Sequence, residues 1–187
     1  MAIDHISLAT RDMEATHAFY EGALGFRVVI HETLAISEGG SVDHIFFDTG
    51  EGACLAFMKW NGVAGVSGDF DTGINCGLGV PPGTFHIALR CRSLQALEAR
   101  RAELLEKGLM IGGILPLHPY RSFFFDDPVN GLRLEYTTRV ADYTEEDLDP
   151  KKRILPMSIR LFHDAGRLVR DSFTEIESSA SRLQSPG

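Results

Sequence analysis

Cysteine is scarce in this chain, and its number excludes a scaffold held together by disulfides. The 187 residues contain only Cys54, Cys76 and Cys91, an odd number without the spacing of a metal site. A secreted scaffold held by disulfides needs paired cysteines at high density, so that class is excluded. We therefore expect reduced thiols in a cytoplasmic protein. Of the three, Cys54 alone is expected to face the binding cavity of the fold.

Positive charge is also in short supply. Lysine and arginine number 18 against 26 aspartates and glutamates, which gives a formal net charge of −8. Proteins that bind nucleic acids cluster Lys and Arg against the phosphates, and this sequence has no basic stripe. A nucleic-acid partner is therefore excluded.

Long apolar runs are missing as well. No segment reaches the length of a membrane span, and no charged and apolar leader precedes the first predicted strand near Ile3. We expect neither secretion nor membrane insertion.

An internal repeat is the strongest positive feature of the sequence. The segment HISLATRDM starts at His5, and the similar HIALRCRSL starts 81 positions later at His86. The segment GACLAF ends at Phe57, and GLRLEY ends 79 positions later at Tyr136. Two matches in the same order and at nearly the same spacing indicate a duplicated module of roughly 80 residues.

Each half of the chain fits the element order βαβββ. Asp12 is positioned to cap a helix from Met13 to about Leu24, and Ser93 a helix that ends at Gly108. Runs rich in β-branched and aromatic residues predict strands at 26–36, 41–49 and 52–60 in the first half, and at 110–115, 122–125 and 132–138 in the second.

The modules imply a domain organisation. Module one spans about residues 1–60, a glycine-rich linker spans 61–84, and module two spans 85–139. The linker lacks the glycine, lysine and hydroxyl order of a phosphate loop, so nucleotide binding is discounted. Residues 140–187 form a C-terminal extension, partly helical, with an amphipathic helix predicted around 157–169 that packs on a neighbouring subunit or across the module junction.

Alternation along the predicted strands places three side chains on the less hydrophobic faces of their strands. Ile6 and Leu8 face one side of their strand, so His5 faces the other, and His86 and Glu135 likewise oppose apolar neighbours. A lone strand histidine is usually a structural residue. Three convergent positions in a repeat instead favour a metal site, because ligation by histidine and carboxylate needs several groups aimed at one point.

These motifs support a resemblance. The segments FYEGALGF, FHIALR and DPVNGLRLEY, with the paired βαβββ pattern, resemble the vicinal oxygen chelate superfamily over about residues 1–139. That superfamily includes glyoxalase I, extradiol dioxygenases, fosfomycin-resistance thiol transferases and bleomycin-binding proteins. The resemblance implies an α+β fold in which two βαβββ modules form a curved mixed sheet, an open-barrel cup around a metal, followed by the C-terminal helical extension.

The resemblance also implies a ligand set. His5, His86 and Glu135 match the positions at which the superfamily binds a divalent metal. Four-ligand members such as glyoxalase I have a further glutamate where this chain has Ala56, and a methyl group cannot coordinate. Two histidines and one carboxylate are typical of Fe(II) oxygenases, so iron is favoured, with Mn, Zn or Ni as alternatives.

The resulting prediction is an extradiol-type dioxygenase that cleaves a small catechol-like or vicinally oxygenated substrate. His118, in PLHPYRS, is the candidate acid and base by its place in the chain, although a loop histidine between two prolines is otherwise a solvated residue. Tyr120 is predicted to bind a substrate oxygen and Arg121 a substrate carboxylate. Phe124 and His44 are expected to line the cup.

One departure from the extradiol pattern weakens this prediction. Extradiol enzymes usually have a tyrosine in the strand before the DP turn, where this chain has Phe123, Phe124 and Phe125. Tyr120 would have to substitute for it. The phenylalanines fit an aromatic-friendly wall, and core packing explains them equally well.

Two other functions stay open. A glyoxalase-type lyase, isomerase or epimerase would act through a metal-stabilised enediolate, and the missing carboxylate at Ala56 counts against it. A drug-binding protein without chemistry is the other alternative, and the retention of all three metal ligands counts against that. We expect a small-molecule partner and a homodimer, and the sequence leaves open whether the modules pair within one chain or between chains.

Overall fold

The computed structural model describes residues 3–149. They form two compact units: unit 1 holds residues 3–80 and 127–132, and unit 2 holds residues 81–126 and 133–149. The helix predicted around 157–169 lies outside the described residues. None of the helices within the described range has the length and apolarity that a membrane crossing requires.

Unit 1 contains the first βαβββ module. Its elements are β1 (His5–Ala9), α1 (Met13–His17), a π-helix (Ala18–Ala23), β2 (Arg27–Ala35), β3 (Ser41–Gly50) and β4 (Ala53–Asn61), followed by the short α2 (Ile74–Gly77). The sheet has the order β1-β4-β3-β2, with β1 parallel to β4 and the other neighbours antiparallel.

Unit 2 repeats this topology. Its elements are β5 (Ile87–Arg90), α3 (Leu94–Glu106), β6 (Leu115–Leu117), β7 (Tyr120–Asp126), β8 (Arg133–Arg139) and the short α4 (Glu145–Leu148). The sheet has the order β5-β8-β7-β6, again with one parallel pair, β5 and β8. The predicted duplication of a βαβββ module in an α+β fold is confirmed, as two four-stranded mixed sheets.

Both predicted helix caps are present. The Asp12 carboxylate accepts a hydrogen bond from the Ala15 backbone N–H at 3.0 Å, and the Ser93 hydroxyl accepts one from Ala96 N–H at 3.1 Å. These side chains satisfy amide groups that have no partner within the first helical turn. Gly108 follows α3 with φ of +84°, the left-handed conformation that ends helices and that glycine adopts without strain.

The apolar faces predicted from alternation form the cores of the two units. In unit 1, Phe47 and Phe57 are fully buried, and the Tyr20 ring from the π-helix stacks on Phe47 with ring centroids 5.3 Å apart. In unit 2, Leu97 and Leu104 of α3 are fully buried. Each such side chain contributes roughly 1.5–3 kcal/mol through removal of its apolar surface from water.

Three local features differ from the sequence prediction. The first helix, predicted as one segment from residue 13 to 24, changes to a π-helix at Ala18. The strand expected at 110–115 is confined to Leu115–Leu117, since Gly112 and Gly113 offer no side chains that would favour an extended pair. The linker, expected to be irregular, contains the four-residue α2, which is too short to leave a periodic pattern in the sequence.

The DPVNG turn between β7 and β8 belongs to unit 1. The Asp127 carboxylate accepts hydrogen bonds from the Tyr20 hydroxyl at 3.0 Å and from the Asn130 side-chain amide at 2.9 Å. Asn130 also donates to the Thr16 hydroxyl at 3.2 Å, and all of these groups are buried. The turn that leads into the Glu135 strand is therefore held by a buried polar network on the first helical segment.

Candidate metal and substrate site

His86 and Glu135 form the centre of the candidate site in unit 2. His86 directly precedes β5, Glu135 lies in β8, and the parallel pairing sets Ala88 opposite Glu135. Side chains two residues apart on a strand share a face, so His86 and Glu135 meet on the same side of the sheet. Their Nε2 and Oε2 atoms are 3.2 Å apart, and the Glu135 side chain is only 9% exposed.

The His86 ring is oriented by the backbone. Its Nδ1 lies 2.9 Å from the Gly83 carbonyl oxygen, which can only accept, so Nδ1 carries the hydrogen and donates it. The other ring nitrogen, Nε2, is thereby directed at Glu135. The hydrogen bond to Glu135 raises the pKa of His86, while partial burial of the ring acts in the opposite direction.

His5 shows the corresponding arrangement in unit 1. Its Nδ1 lies 2.8 Å from the Asp4 carboxylate, so Nδ1 is the donor here too and Nε2 is the nitrogen left for another ligand. Histidines that bind metals commonly hold their second ring nitrogen in this way, against a carboxylate or a backbone carbonyl. Both predicted histidine ligands therefore present Nε2.

Ala56 stands at the position in unit 1 that Glu135 occupies in unit 2. Ala56 pairs with Ser7, two residues after His5, just as Glu135 pairs with Ala88, two residues after His86. Ala56 is fully buried and also pairs with Phe46. Unit 1 therefore offers no carboxylate at this position. Within the described part of either unit, no three His, Cys, Asp or Glu side chains are grouped closely enough to hold a metal ion.

A pocket of about 830 Å³ extends along the same face of unit 2. Its lining comprises His86, Ala88, Arg90, Cys91, Arg92, Tyr120, Glu135, Thr137, Thr138, Arg139 and Tyr143. The His86 and Glu135 pair lies toward one end, and the arginines and tyrosines lie toward the other, where β5 and β8 end. The pocket is large enough for a small organic ligand.

Tyr120, which the sequence analysis predicts to bind a substrate oxygen, lies in this pocket. Its hydroxyl is hydrogen-bonded to the Tyr143 hydroxyl. That bond raises the pKa of Tyr120, and the positive charges of Arg139 and Arg90 act in the opposite direction. Tyr120 is thus a neutral hydroxyl with two arginines within electrostatic range.

His118 is placed differently. Its ring is 57% exposed, and Nε2 lies 3.2 Å from the Asp147 carboxylate, which also caps α4 through Thr144. His118 is not among the residues that line the pocket. Among the described residues, His118 contacts Asp147, and the rest of its ring faces solvent.

The predicted substrate-binding residues are divided between faces and units. Phe124 pairs with Glu135, and its ring lies 6.0 Å from that of His86. Arg121 follows Tyr120 in β7 and therefore points to the opposite face from Tyr120, with its guanidinium on the Tyr120 carbonyl. His44 lies in unit 1 on the His5 face, beside Glu32 at 3.6 Å.

The sequence analysis missed the pocket arginines. Arg90 and Arg139 stand four residues after His86 and Glu135, so the same alternation that placed the metal ligands on one face also places these side chains there. The signal was therefore present in the sequence.

Comparison with known proteins identifies the family. A search of curated proteins gives no match. Among solved structures, TnmS3, an antibiotic binding protein from Streptomyces sp. CB03234, aligns at 19% identity over 74% of this chain and 96% of that chain, with a TM-score of 0.51. A glyoxylase/bleomycin resistance protein/dioxygenase domain from Frankia sp. EAN1pec aligns at 18% identity over 74% and 98%, with a TM-score of 0.51. Such similarity shows a shared fold.

A family model decides membership. The model of the Glyoxalase/Bleomycin resistance protein/Dioxygenase superfamily matches residues 2–136, which covers both βαβββ modules and every predicted metal ligand. The resemblance inferred from the repeat is thereby confirmed. The chain belongs to the Glyoxalase/Bleomycin resistance protein/Dioxygenase superfamily.

Proposed function

We propose that this chain is a metal-dependent enzyme, an extradiol-type dioxygenase that cleaves a small catechol-like or vicinally oxygenated substrate. His5, His86 and Glu135 are the proposed metal ligands, and Fe(II) is the proposed metal, with Mn, Zn or Ni as alternatives. The observation that carries the proposal is the convergence of His86 Nε2 and Glu135 Oε2 at 3.2 Å, with the His86 ring fixed by Gly83.

The donor set of the chain fits such an ion. Imidazole nitrogens and a carboxylate suit iron, and the alanine at position 56 keeps the protein ligands to two histidines and one carboxylate. An ion held there would supply Lewis-acid polarisation of adjacent substrate oxygens and, as iron, the activation of dioxygen. Ring cleavage of this kind incorporates both atoms of dioxygen into the product, so the reaction balances without a further reductant.

The chain's own side chains bind and orient the substrate. The neutral Tyr120 hydroxyl can donate a hydrogen bond to a substrate oxygen, and the Phe124 ring next to His86 supplies an apolar surface for an aromatic ring. We assign the contact with substrate to Tyr120, which lines the pocket. His118, exposed and paired with Asp147, is assigned the exchange of protons with solvent.

One observation favours a second candidate function. The His86 and Glu135 side chains satisfy one another as an ion pair, and the fold neighbour TnmS3 is an antibiotic binding protein. A protein that sequesters a small molecule without chemistry would need the pocket and not the metal.

Metal analysis and oxygen uptake separate these functions. Protein purified without chelator should contain a divalent metal, and anaerobic loading with Fe(II) should give oxygen consumption with at least one member of a catechol panel. Turnover of a hemithioacetal without oxygen uptake would assign the chain to the glyoxalase-type reactions. Stoichiometric ligand binding by metal-free protein, without turnover of either substrate class, would assign it to the binding proteins.

A further inference from the structure

The pocket of unit 2 has a cationic end in an acidic protein. Three arginines, Arg90, Arg92 and Arg139, line it, whereas the whole chain carries a formal net charge of −8. Among the lining residues that the structure describes, Glu135 carries the one carboxylate, and it is paired with His86. The described side chains at the arginine end of the pocket therefore carry positive charge.

Strand register fixes where this charge stands relative to the proposed metal ligands. Arg90 lies four residues beyond His86 on β5, and Arg139 lies four residues beyond Glu135 on β8. Four residues along a strand correspond to about 13 Å between Cα atoms, and residues at even spacing share a face. Long arginine side chains can cover part of that distance, which leaves room for one ring and a short substituent.

Hydroxyl groups accompany the arginines. Arg139 pairs with Tyr120 across β7 and β8, and Arg90 pairs with Thr137 across β5 and β8. The Arg139 guanidinium stands 5.4 Å from the centre of the Tyr143 ring. A cation held over an aromatic face keeps its charge while its position is restricted, as a ligand anchor requires.

The described carboxylates neutralise the positive charge of Arg139 only weakly. Its nearest described carboxylate is that of Asp142 at 3.8 Å, and the Asp142 side chain is 98% exposed. An exposed ion pair at this distance contributes little, so most of the positive charge of Arg139 stays available to a ligand. An anion bound in the pocket would interact more strongly with this guanidinium than the exposed Asp142 carboxylate does.

We propose that the pocket binds an organic acid, with two adjacent oxygens at the His86 and Glu135 end and a carboxylate at Arg90 and Arg139. This inference rests on the proposed function and names its substrate class: a catechol-like acid whose carboxylate is separated from the vicinal oxygens by about one ring. Arginine recognises a carboxylate with two parallel hydrogen bonds, which gives both strength and orientation. Tyr120 and Thr137, the strand partners of Arg139 and Arg90, line the same end of the pocket.

Matched pairs of ligands test the proposal directly. The probes are 3,4-dihydroxybenzoate and 3,4-dihydroxyphenylacetate, each compared with its neutral methyl ester. Binding is measured by anaerobic calorimetry on the full chain, metal-free and metal-loaded. Each ester differs from its acid in charge while the vicinal oxygens are unchanged. We expect at least one acid to bind about tenfold more tightly than its ester, and this preference to weaken at high salt.

Charge-removing variants locate the effect. Arg139→Met and Arg90→Gln should each reduce the preference for the acid to about threefold or less, while affinity for the ester is retained. Arg27→Met is the matched control, since it removes one positive charge from unit 1, where Arg27 pairs with Asp48. The control should keep the full preference.

The outcomes distinguish this inference from the proposed function. Equal affinity of acid and ester in both pairs overturns the inference, as does an equal loss of preference in Arg27→Met. Oxygen uptake that is as rapid with the esters as with the acids would overturn it and leave the dioxygenase proposal standing. A clear acid preference without oxygen uptake would support the inference and count against the dioxygenase.

Discussion

The imidazole of His86 and the carboxylate of Glu135 meet at 3.2 Å across two parallel strands that are separated by more than forty residues of chain. The Gly83 carbonyl fixes the ring tautomer from the other side. A divalent ion bound by these two groups would take the place of their direct contact. Metal binding by this chain should therefore depend on both His86 and Glu135.

Replacing either member of the pair should remove the metal. We expect His86→Ala and Glu135→Gln to lower metal affinity by more than the roughly 10–100-fold that loss of an outer-shell partner costs. Elemental analysis after dialysis, together with competition against a chromogenic chelator, measures the loss. His31→Ala is the control, because His31 pairs with Ile45 on the opposite face from His44 and should leave metal content unchanged. Retention of full metal content by both variants would contradict the assigned ligands.

Introducing a carboxylate at position 56 should make the thermal stability of the protein depend on bound metal. A glutamate in Ala56→Glu would meet His5 as Glu135 meets His86, because the strand registers are equivalent. Burial of the added carboxylate costs desolvation free energy that a neighbouring imidazole offsets only in part, so Tm should fall in chelator and recover in part when metal is added. The measurement is thermal unfolding with and without metal. An identical Tm under both conditions would show that residue 56 does not reach the ion.

Tyr120 and His118 should affect turnover differently. Tyr120→Phe removes a hydroxyl that lines the pocket and should lower kcat/KM about tenfold, since a hydrogen bond to substrate is lost. His118→Ala should slow kcat, because it removes the group proposed to exchange protons with solvent. It should change KM little, because the exposed ring pairs with Asp147 outside the pocket lining. Metal content should stay intact in both variants. Loss of metal from His118→Ala would place this residue among the ligands instead.

The buried Tyr20 hydroxyl should stabilise unit 1. Tyr20→Phe keeps the stacked ring and removes the hydrogen bond to Asp127, which then depends on Asn130 and backbone donors. The free energy of unfolding should fall by about 1–2 kcal/mol, as measured by urea titration. Tyr143→Phe, at a surface-exposed ring, gives the comparison and should change stability little. Equal effects from the two variants would argue against a special role for the buried network.

Two adjacent glycines provide a steric test of the β2 to β3 turn. Gly39 and Gly40 have φ of +107° and +85°, so alanine is strained at both, but only at Gly40 would its Cβ lie 2.5 Å from the Asn61 carbonyl oxygen. Gly40→Ala should therefore cost about 1–3 kcal/mol more than Gly39→Ala. Chemical unfolding of the two variants measures the difference. Equal losses would mean that the backbone at Asn61 yields to the methyl group.

Much of the fold could be predicted because its signals are local or repeated. Asp12 and Ser93 are helix caps whose effect depends on the next three residues, and both are where the sequence placed them. The alternation around His5 and Glu135 correctly assigned the faces of the strands. The π-helix after Ala18 and the short α2 were missed, because neither produces a periodic pattern that differs from its surroundings.

Three features follow from the order of residues alone, because side-chain period and repeat spacing are properties of that order. They are the duplicated βαβββ architecture, the membership of the superfamily and the absence of a carboxylate at Ala56. The contact of His86 Nε2 with Glu135, and the pocket that Tyr120 and Arg139 share, follow only from the folded structure. These relationships depend on the register between strands that are distant in sequence and on side-chain conformation. Neither quantity is fixed until the strands have paired.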